Sequence, residues 1–183
     1  MLRTMALMLA GGVILVGLPP AIAGNEAQIV ALDECDPVTF NPALGEEGGG
    51  FCHNVTLYKF APAHYETTLD SLVSQANSGT PDPGWDFEPD ELSIRRSTTL
   101  SVVNQGGEPH TFTEVSQFGG GFVEALNNGE AIAPECAGGF KNVAVAKTRI
   151  LQGSRLDVTG LSRGKHLFQC CIHPWMHVEV DVK

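Results

Sequence analysis

Basic residues are scarce in this sequence. Only 11 of its 183 residues are lysine or arginine, against 21 aspartates and glutamates, and the formal net charge is −10. Because a protein that binds nucleic acid neutralises phosphates with basic side chains, we predict no nucleic-acid partner. The charge can steer the chain toward a basic protein partner, or it can serve only to maintain solubility, and the sequence leaves both readings open.

Long hydrophobic runs are confined to the N-terminus. An apolar run from Met5 to Leu18 follows the positive charge of Arg3, and the small residues Ala21-Ile22-Ala23 resemble a cleavage site. The run is short for a membrane span of about 20 residues. We therefore predict a signal peptide at residues 1–23, a periplasmic or secreted mature protein and no membrane span after cleavage. An uncleaved membrane anchor is the alternative.

The cysteine count is odd. An exported protein can form disulfides, so with five cysteines at least one thiol stays unpaired or binds a metal. If Cys170 is a metal ligand, four cysteines remain for two bridges. Cys35–Cys52 is the first choice because both lie in one glycine-rich segment, and Cys136–Cys171 follows by elimination. The sequence alone does not fix this connectivity.

The chain shows no internal repeat, and its pattern changes near residue 83. Before that point the signals are mixed. Residues 28–32 suggest a short strand, Asp36-Pro37 is typical of a helix start, and apolar residues at three- and four-residue spacing predict an amphipathic helix over 67–77. Residues 78–84 form a predicted loop.

From Trp85 onward the pattern predicts β-structure. Apolar and polar residues alternate at 100–104 and again at 178–183, while 143–145 and 156–158 are weaker strand candidates. Many short strands separated by glycine and proline turns indicate a sandwich or a barrel. We therefore predict an all-β fold preceded by a short, partly helical extension.

Most of the candidate metal-binding side chains lie near the C-terminus. Cys170, His173 and Met176 are each three residues apart, so a tight loop can turn a thiolate, an imidazole and a thioether toward one point. Soft sulfur ligands together with imidazole suit copper, and two histidines, one cysteine and a weak axial methionine form the blue-copper electron-transfer arrangement. The upstream candidate for the second histidine is His110, which follows the predicted strand 100–104 and a short turn.

These two segments resemble the cupredoxins, and most closely the amicyanin group. The run Cys170-Cys171-Ile172-His173-Pro174-Trp175-Met176 is similar to the late Cys-x-x-His-Pro-x-Met loop of that group. Upstream, a strand ending in Asn104, five residues and then His110 resemble its Asn and Pro-His pattern. The resemblance covers roughly residues 85–183.

The resemblance implies a cupredoxin-like Greek-key β-sandwich that holds one type 1 copper ion. It also implies that His110, Cys170 and His173 are strong ligands, that Met176 is a weak axial ligand, and that the protein transfers single electrons. The predicted organisation is a signal peptide at 1–23, an extension at 24–84 and a cupredoxin domain at 85–183. We expect a monomer with a redox partner protein, such as a basic cytochrome or oxidoreductase.

Other kinds of copper protein use related ligands. A copper carrier or storage protein would use the same ligands and stays open as the alternative. Copper oxidases need His-x-His clusters, and the six histidines of this chain form no such pair, so we predict that the protein is not an enzyme. Cys170 and Cys171 are adjacent, which does not match the spacing of the two cysteines in a dinuclear copper centre.

The sequence also predicts where the remaining histidines and Trp175 lie. His53 and His64 are expected in loops or at the surface. His166 is expected to be a packed structural residue rather than a group beside the site, and His177 is expected to be exposed. Trp175, next to His173, is expected either to form part of a docking patch or to pack on the end of the sandwich.

Overall fold

The computed structural model describes residues 25–44, 52 and 67–183, and the predicted signal peptide lies outside these ranges. The described α-helices and β-strands, in chain order, are β1 (Glu26–Leu32), α1 (Pro37–Leu44), α2 (Leu69–Ser78), β2 (Asp86–Glu88), β3 (Glu91–Ile94), β4 (Thr99–Asn104), β5 (His110–Thr111), β6 (Thr113–Val115), α3 (Val143–Lys147), β7 (Arg149–Ile150), β8 (Arg155–Val158), β9 (Gly164–Gln169) and β10 (His177–Val182). Three short 3-10 helices lie between β6 and α3, at Glu124–Leu126, Pro134–Cys136 and Gly139–Lys141. Every helix in this part of the chain is too short or too polar to span a bilayer.

Two four-stranded sheets form the body of the protein. The first has the strand order β2-β1-β4-β8 and the second has the order β3-β10-β9-β6, while β5 and β7 form a separate two-stranded pair. The chain passes repeatedly from one sheet to the other, and only β1–β2 and β9–β10 are consecutive strands that pair as antiparallel neighbours within a large sheet. The predicted all-β Greek-key sandwich is confirmed.

The core lies between the two sheets because their strands alternate apolar and polar residues. In β10, Val178, Val180 and Val182 are buried while the residues between them are partly exposed. They meet Leu100 and Val102 of β4 in one hydrophobic cluster. Full burial of each such side chain contributes about 1.5–3 kcal/mol, so this shared face holds the two sheets together.

The first strand comes from the predicted N-terminal extension. β1 pairs in parallel with β4 and antiparallel with β2, so it occupies an interior position in the first sheet. Its residues Ile29 and Ala31 are fully buried in the main core. The division of the chain into 24–84 and 85–183 stays a prediction, but the first part supplies a strand to the sandwich.

Two helices from the same extension pack beside the sandwich. Asp36 accepts a hydrogen bond from the Val38 amide at 3.0 Å, as expected for the predicted start of α1. The Thr68 hydroxyl caps α2 in the same way, and Gly79 ends it with a φ of 71°. The helix predicted over 67–77 is therefore confirmed, with its first helical residue at Leu69.

One weak strand prediction is wrong. Residues 143–145 lie in α3 and not in a strand. The Asn142 side chain accepts from the Ala144 amide at 3.0 Å, and this cap starts a helix in spite of the two valines. Val145 is buried, but Val143 is 66% exposed. The strand predicted at 156–158 is present as β8.

Both predicted disulfides are confirmed. Cys35 is bonded to Cys52, and Cys136 is bonded to Cys171. All five cysteines lie within the described residues, so Cys170 is the one free thiol, and it is fully buried. The free thiol is therefore the one that the spacing of the late loop selects as a metal ligand.

Candidate metal centre

Three side chains with metal-binding chemistry converge at one end of the sandwich. His110 begins β5, Cys170 directly follows β9, and His173 lies in the loop that leads to β10. Their candidate ligand atoms all lie within 4.8 Å of one another. The Cys170 Sγ is 3.8 Å from the Nδ1 of each histidine, and the two Nδ1 atoms are 3.4 Å apart.

The late loop is folded back on itself, as its spacing predicted. The Met176 amide donates to the His173 carbonyl at 3.0 Å, and the Cys170 amide donates to the Met176 carbonyl at 3.0 Å. The Met176 side chain is fully buried in the main core cluster together with Cys170. Its role as a weak axial ligand stays a prediction.

The Cys170 sulfur receives backbone hydrogen bonds. The amides of Thr111 and His173 donate to Sγ at 3.4 and 3.5 Å. Burial raises the pKa of the Cys170 thiol, but the interactions with His110 and His173 outweigh it and hold that pKa well below its usual value. The site therefore favours a thiolate, which is the form of cysteine that binds metals.

A buried carboxylate lies behind the first histidine. The Nε2 of His110 is 2.8 Å from Asp33 Oδ2, and both side chains are inaccessible to solvent. Asp33 also accepts from the amides of Gly107 at 2.8 Å and Glu108 at 3.0 Å. A Cβ at Gly106 would collide with this carboxylate, so the turn before His110 needs glycine at that position.

His110 and Asp33 each stabilise the charged form of the other. Burial alone lowers the pKa of His110, but Asp33 and Cys170 raise it to about 10 in the metal-free protein. Burial raises the pKa of Asp33, and the hydrogen bonds from His110 and from the turn amides lower it below its usual value. Asp33 therefore remains a carboxylate at neutral pH.

A second buried carboxylate lies behind the second histidine. The Nε2 of His173 is 3.2 Å from Glu108 Oε2, and both side chains are almost fully buried. Burial lowers the pKa of His173, but its interactions with Cys170 and Glu108 raise it overall. Both imidazoles thus direct Nδ1 toward the thiol and Nε2 toward a carboxylate.

Sequence reasoning missed both carboxylates. Asp33 is 77 residues upstream of His110 and lies in the segment that showed no family resemblance, so no local signal marks it. Glu108 did carry a signal, because it is an acidic residue two positions before His110 in the turn that leads to the site. A carboxylate that close to a candidate ligand is a natural partner for a neighbouring imidazole.

The positions of the candidate ligands relative to the strands identify the type of fold. An upstream histidine follows one strand of a two-sheet sandwich, and a Cys-x-x-His loop joins its last two strands. The chain has a cupredoxin-like fold.

The solved structures that this chain resembles are only distantly similar to it. A purple cupredoxin from Nitrosopumilus maritimus is 17% identical with a TM-score of 0.37, and the alignment covers 56% of this chain and 86% of that chain. An amicyanin from Paracoccus versutus is 15% identical with a TM-score of 0.34, at 54% and 73% coverage. No protein-family model matches the sequence. No curated protein matches it either.

The side chain of Asn104 holds the turn that leads to His110. Its side-chain amide donates to the carbonyls of Glu108 at 2.7 Å and Ile150 at 3.0 Å, and its oxygen accepts from the Gly106 amide at 2.8 Å. Asn104 thus fixes the five residues between β4 and His110. This contact gives a physical reason for the asparagine in the sequence motif.

Aromatic rings close the site on the side of the extension. Trp85 lies edge-on to His173 with 4.8 Å between ring centroids, and Phe40 of α1 stacks on Trp85. His173 is only 1% exposed, so its imidazole is not at the surface of the loop. Trp175 donates from Nε1 to the Trp85 carbonyl at 3.1 Å and is half-buried. Trp175 therefore packs on the end of the sandwich, and its part in docking stays a prediction.

His166 and His177 lie outside the site. His166 contacts Glu114 at 2.6 Å and the Ser162 carbonyl at 3.0 Å on the second sheet, as expected for a structural residue. His177 was expected to be exposed, but it is half-buried because its ring stacks on Phe118 at 4.0 Å. The predictions for His53 and His64 fall outside the described residues.

Proposed function

We propose that this protein binds one copper ion in a type 1 site and acts as a one-electron carrier. His110, Cys170 and His173 would be the strong ligands, and Met176 would be the weak axial ligand. The observation that carries the proposal is the buried triangle of two Nδ1 atoms and one thiolate sulfur. Two imidazoles, one thiolate and a nearby thioether are the ligand set that copper electron-transfer proteins use.

The protein itself holds the proposed ligands in a solvent-excluded site of fixed geometry. A bound copper ion would provide the one-electron chemistry by alternating between Cu(I) and Cu(II). The short hydrogen-bonded loop from Cys170 to Met176 keeps the ligand atoms in one arrangement, which limits reorganisation between the two states. The amides of Thr111 and His173 at the sulfur would tune its electron donation to the metal.

Burial of the ligands favours electron transfer over copper delivery. His110, Cys170 and His173 are each at most 1% exposed. A delivery protein must release its ion to a partner, and release here requires the loop or the Trp85 side to open. The copper carrier or storage function remains the alternative, and rapid loss of copper to a chelator would support it.

The proposal includes an exported protein that meets a separate redox partner. Two disulfides suit an oxidising compartment such as the periplasm or the cell exterior. The net charge of −10 suits a basic cytochrome or oxidoreductase, and the charge also suits a monomer that avoids self-association. With His173 covered, the route for electrons would run through Trp175, whose ring centroid is 5.6 Å from that of His173.

The test is to add Cu(II) to the mature protein and record optical and EPR spectra. We expect an intense thiolate-to-Cu(II) absorption band that disappears in Cys170→Ser. The matched control is the double variant Cys136→Ser and Cys171→Ser, which removes the neighbouring thiol together with its disulfide partner. The control should keep the band. A band that survives in Cys170→Ser would overturn the assignment.

A further inference from the structure

Both imidazoles of the site are backed by a buried acidic side chain. Asp33 lies 2.8 Å from the Nε2 of His110, and Glu108 lies 3.2 Å from the Nε2 of His173. The two carboxylates come from different parts of the chain, the end of β1 and the turn after β4. They are nevertheless arranged alike, each on the far side of an imidazole from the thiol.

We propose that Asp33 and Glu108 are positioning residues that orient the two imidazoles and favour Cu(II) over Cu(I). This inference rests on the proposed copper site. A metal at Nδ1 leaves the ring proton on Nε2, where it donates to the carboxylate and fixes both the tautomer and the ring orientation. Each carboxylate then makes its imidazole a stronger electron donor to the metal.

The number of buried charges predicts whether the carboxylates raise or lower the reduction potential. The Cys170 thiolate and the two carboxylates supply three negative charges within one solvent-excluded region. Cu(II) offsets two of these charges and Cu(I) offsets only one. Because charges interact strongly in a low-dielectric interior, the oxidised site is stabilised more than the reduced site, which corresponds to a lower reduction potential.

Glu108 differs from Asp33 in how well its charge is satisfied. Asp33 is held by two amides of the turn in addition to His110. The Oε1 of Glu108 is buried and has no hydrogen-bond partner among the described residues. A buried charge with so few partners is costly unless positive charge lies nearby. The proposed metal beyond His173 supplies that charge, so Glu108 should have the larger effect on the site.

The test uses Asp33→Asn and Glu108→Gln in the copper-loaded mature protein. Each amide oxygen can still accept from Nε2, so the substitution removes the charge and keeps the hydrogen bond. The matched controls are Asp157→Asn and Glu26→Gln, which remove the same charges from exposed positions on the first sheet. The measurements are the reduction potential by spectroelectrochemistry and the affinities for Cu(II) and Cu(I) by competition with chelators.

We expect the reduction potential to rise in both site variants and to rise more in the Glu108 variant. The Cu(II) affinity should fall by about 10- to 100-fold, with a smaller loss for Cu(I). Potentials that match those of the two controls would overturn the inference. If Asp33→Asn fails to fold because the turn loses its anchor, Glu108→Gln decides alone.

The outcome also separates this inference from the function on which it rests. A wild-type protein without the thiolate-to-Cu(II) band overturns both. A wild-type protein with the band and with unchanged potentials in the site variants overturns only the role of the carboxylates.

Discussion

Cys170 and Cys171 are adjacent in sequence and have opposite environments. Cys170 faces the main core and the two histidines, while Cys171 lies in a smaller cluster with its disulfide partner Cys136. The cause is the alternation of side chains across an extended backbone, which the chain keeps as it leaves β9. A single residue of register therefore separates a candidate copper thiolate from a structural disulfide.

The contact between His166 and Glu114 on the second sheet, away from the candidate metal centre, should make stability depend on pH. Glu114 raises the pKa of His166, with burial opposing it. A histidine with a raised folded-state pKa stabilises the protein fully below its unfolded pKa of about 6.5, and this contribution is lost as the pH rises through the folded value. Glu114→Gln should therefore lower the free energy of unfolding by less than about 1 kcal/mol near pH 5, since Glu114 is half-exposed.

The same substitution should cost less stability near pH 9, because His166 loses its charge as the pH rises through its raised folded-state pKa. Urea unfolding of the metal-free protein at the two pH values measures this difference. A matched control is Glu124→Gln, at an exposed position in the short 3-10 helix Glu124–Leu126. An equal loss of stability at pH 5 and pH 9 would mean that the His166–Glu114 contact does not depend on charge.

At the scale of elements, alternation and capping explain most of what could be predicted. The alternating apolar residues of β4 and β10 were visible in the sequence, and so were the spacing of α2 and the turn before His110. α3 was missed because a side-chain cap at Asn142 outweighed the β-propensity of two valines. The parallel pairing of β1 with β4 joins residues more than 70 positions apart, and no local pattern reports it.

The hydrogen bonds of Asn104 should stabilise the turn between β4 and β5. Asn104→Ala would leave the buried carbonyls of Glu108 and Ile150 without their donor, at a cost of about 1–3 kcal/mol in the free energy of unfolding. Because the turn carries Glu108 and leads to His110, copper affinity should fall as well. Denaturant unfolding and chelator competition measure the two effects.

Asn77→Ala is a suitable control, since Asn77 also donates to two backbone carbonyls but does so at an exposed position on α2. It should cost less stability than Asn104→Ala and leave copper affinity unchanged. If both variants bind copper like the wild type, the Asn104 network is not needed to shape the site.

At the scale of the whole molecule, the N-terminal segment takes part in both the core and the site. β1 fills an interior position of the first sheet, Asp33 lies behind His110, and Phe40 stacks on Trp85. The family resemblance over 85–183 identified the three candidate ligands that the structure brings together. It did not reveal this contribution, because the segment has no counterpart in the motifs and its contacts are distant in sequence.

A fragment comprising residues 85–183 tests whether the sandwich needs the N-terminal segment in order to fold. It lacks β1 and Asp33, so the first sheet would lose its centre and His110 would lose its partner. We expect the fragment to be unfolded or poorly packed, whereas residues 24–183 should show the dispersed amide spectrum of a folded protein by NMR. A fragment that folds and binds copper like the longer chain would show that the N-terminal segment is an accessory.

The central claim is that the two histidines and Cys170 hold a single copper ion between them. Anomalous diffraction at the copper edge from crystals of the copper-loaded protein locates the ion directly. We predict one strong peak between the Nδ1 of His110, the Sγ of Cys170 and the Nδ1 of His173. A peak at another position, or an ion bound through the carboxylate of Asp33 or Glu108, would contradict the account.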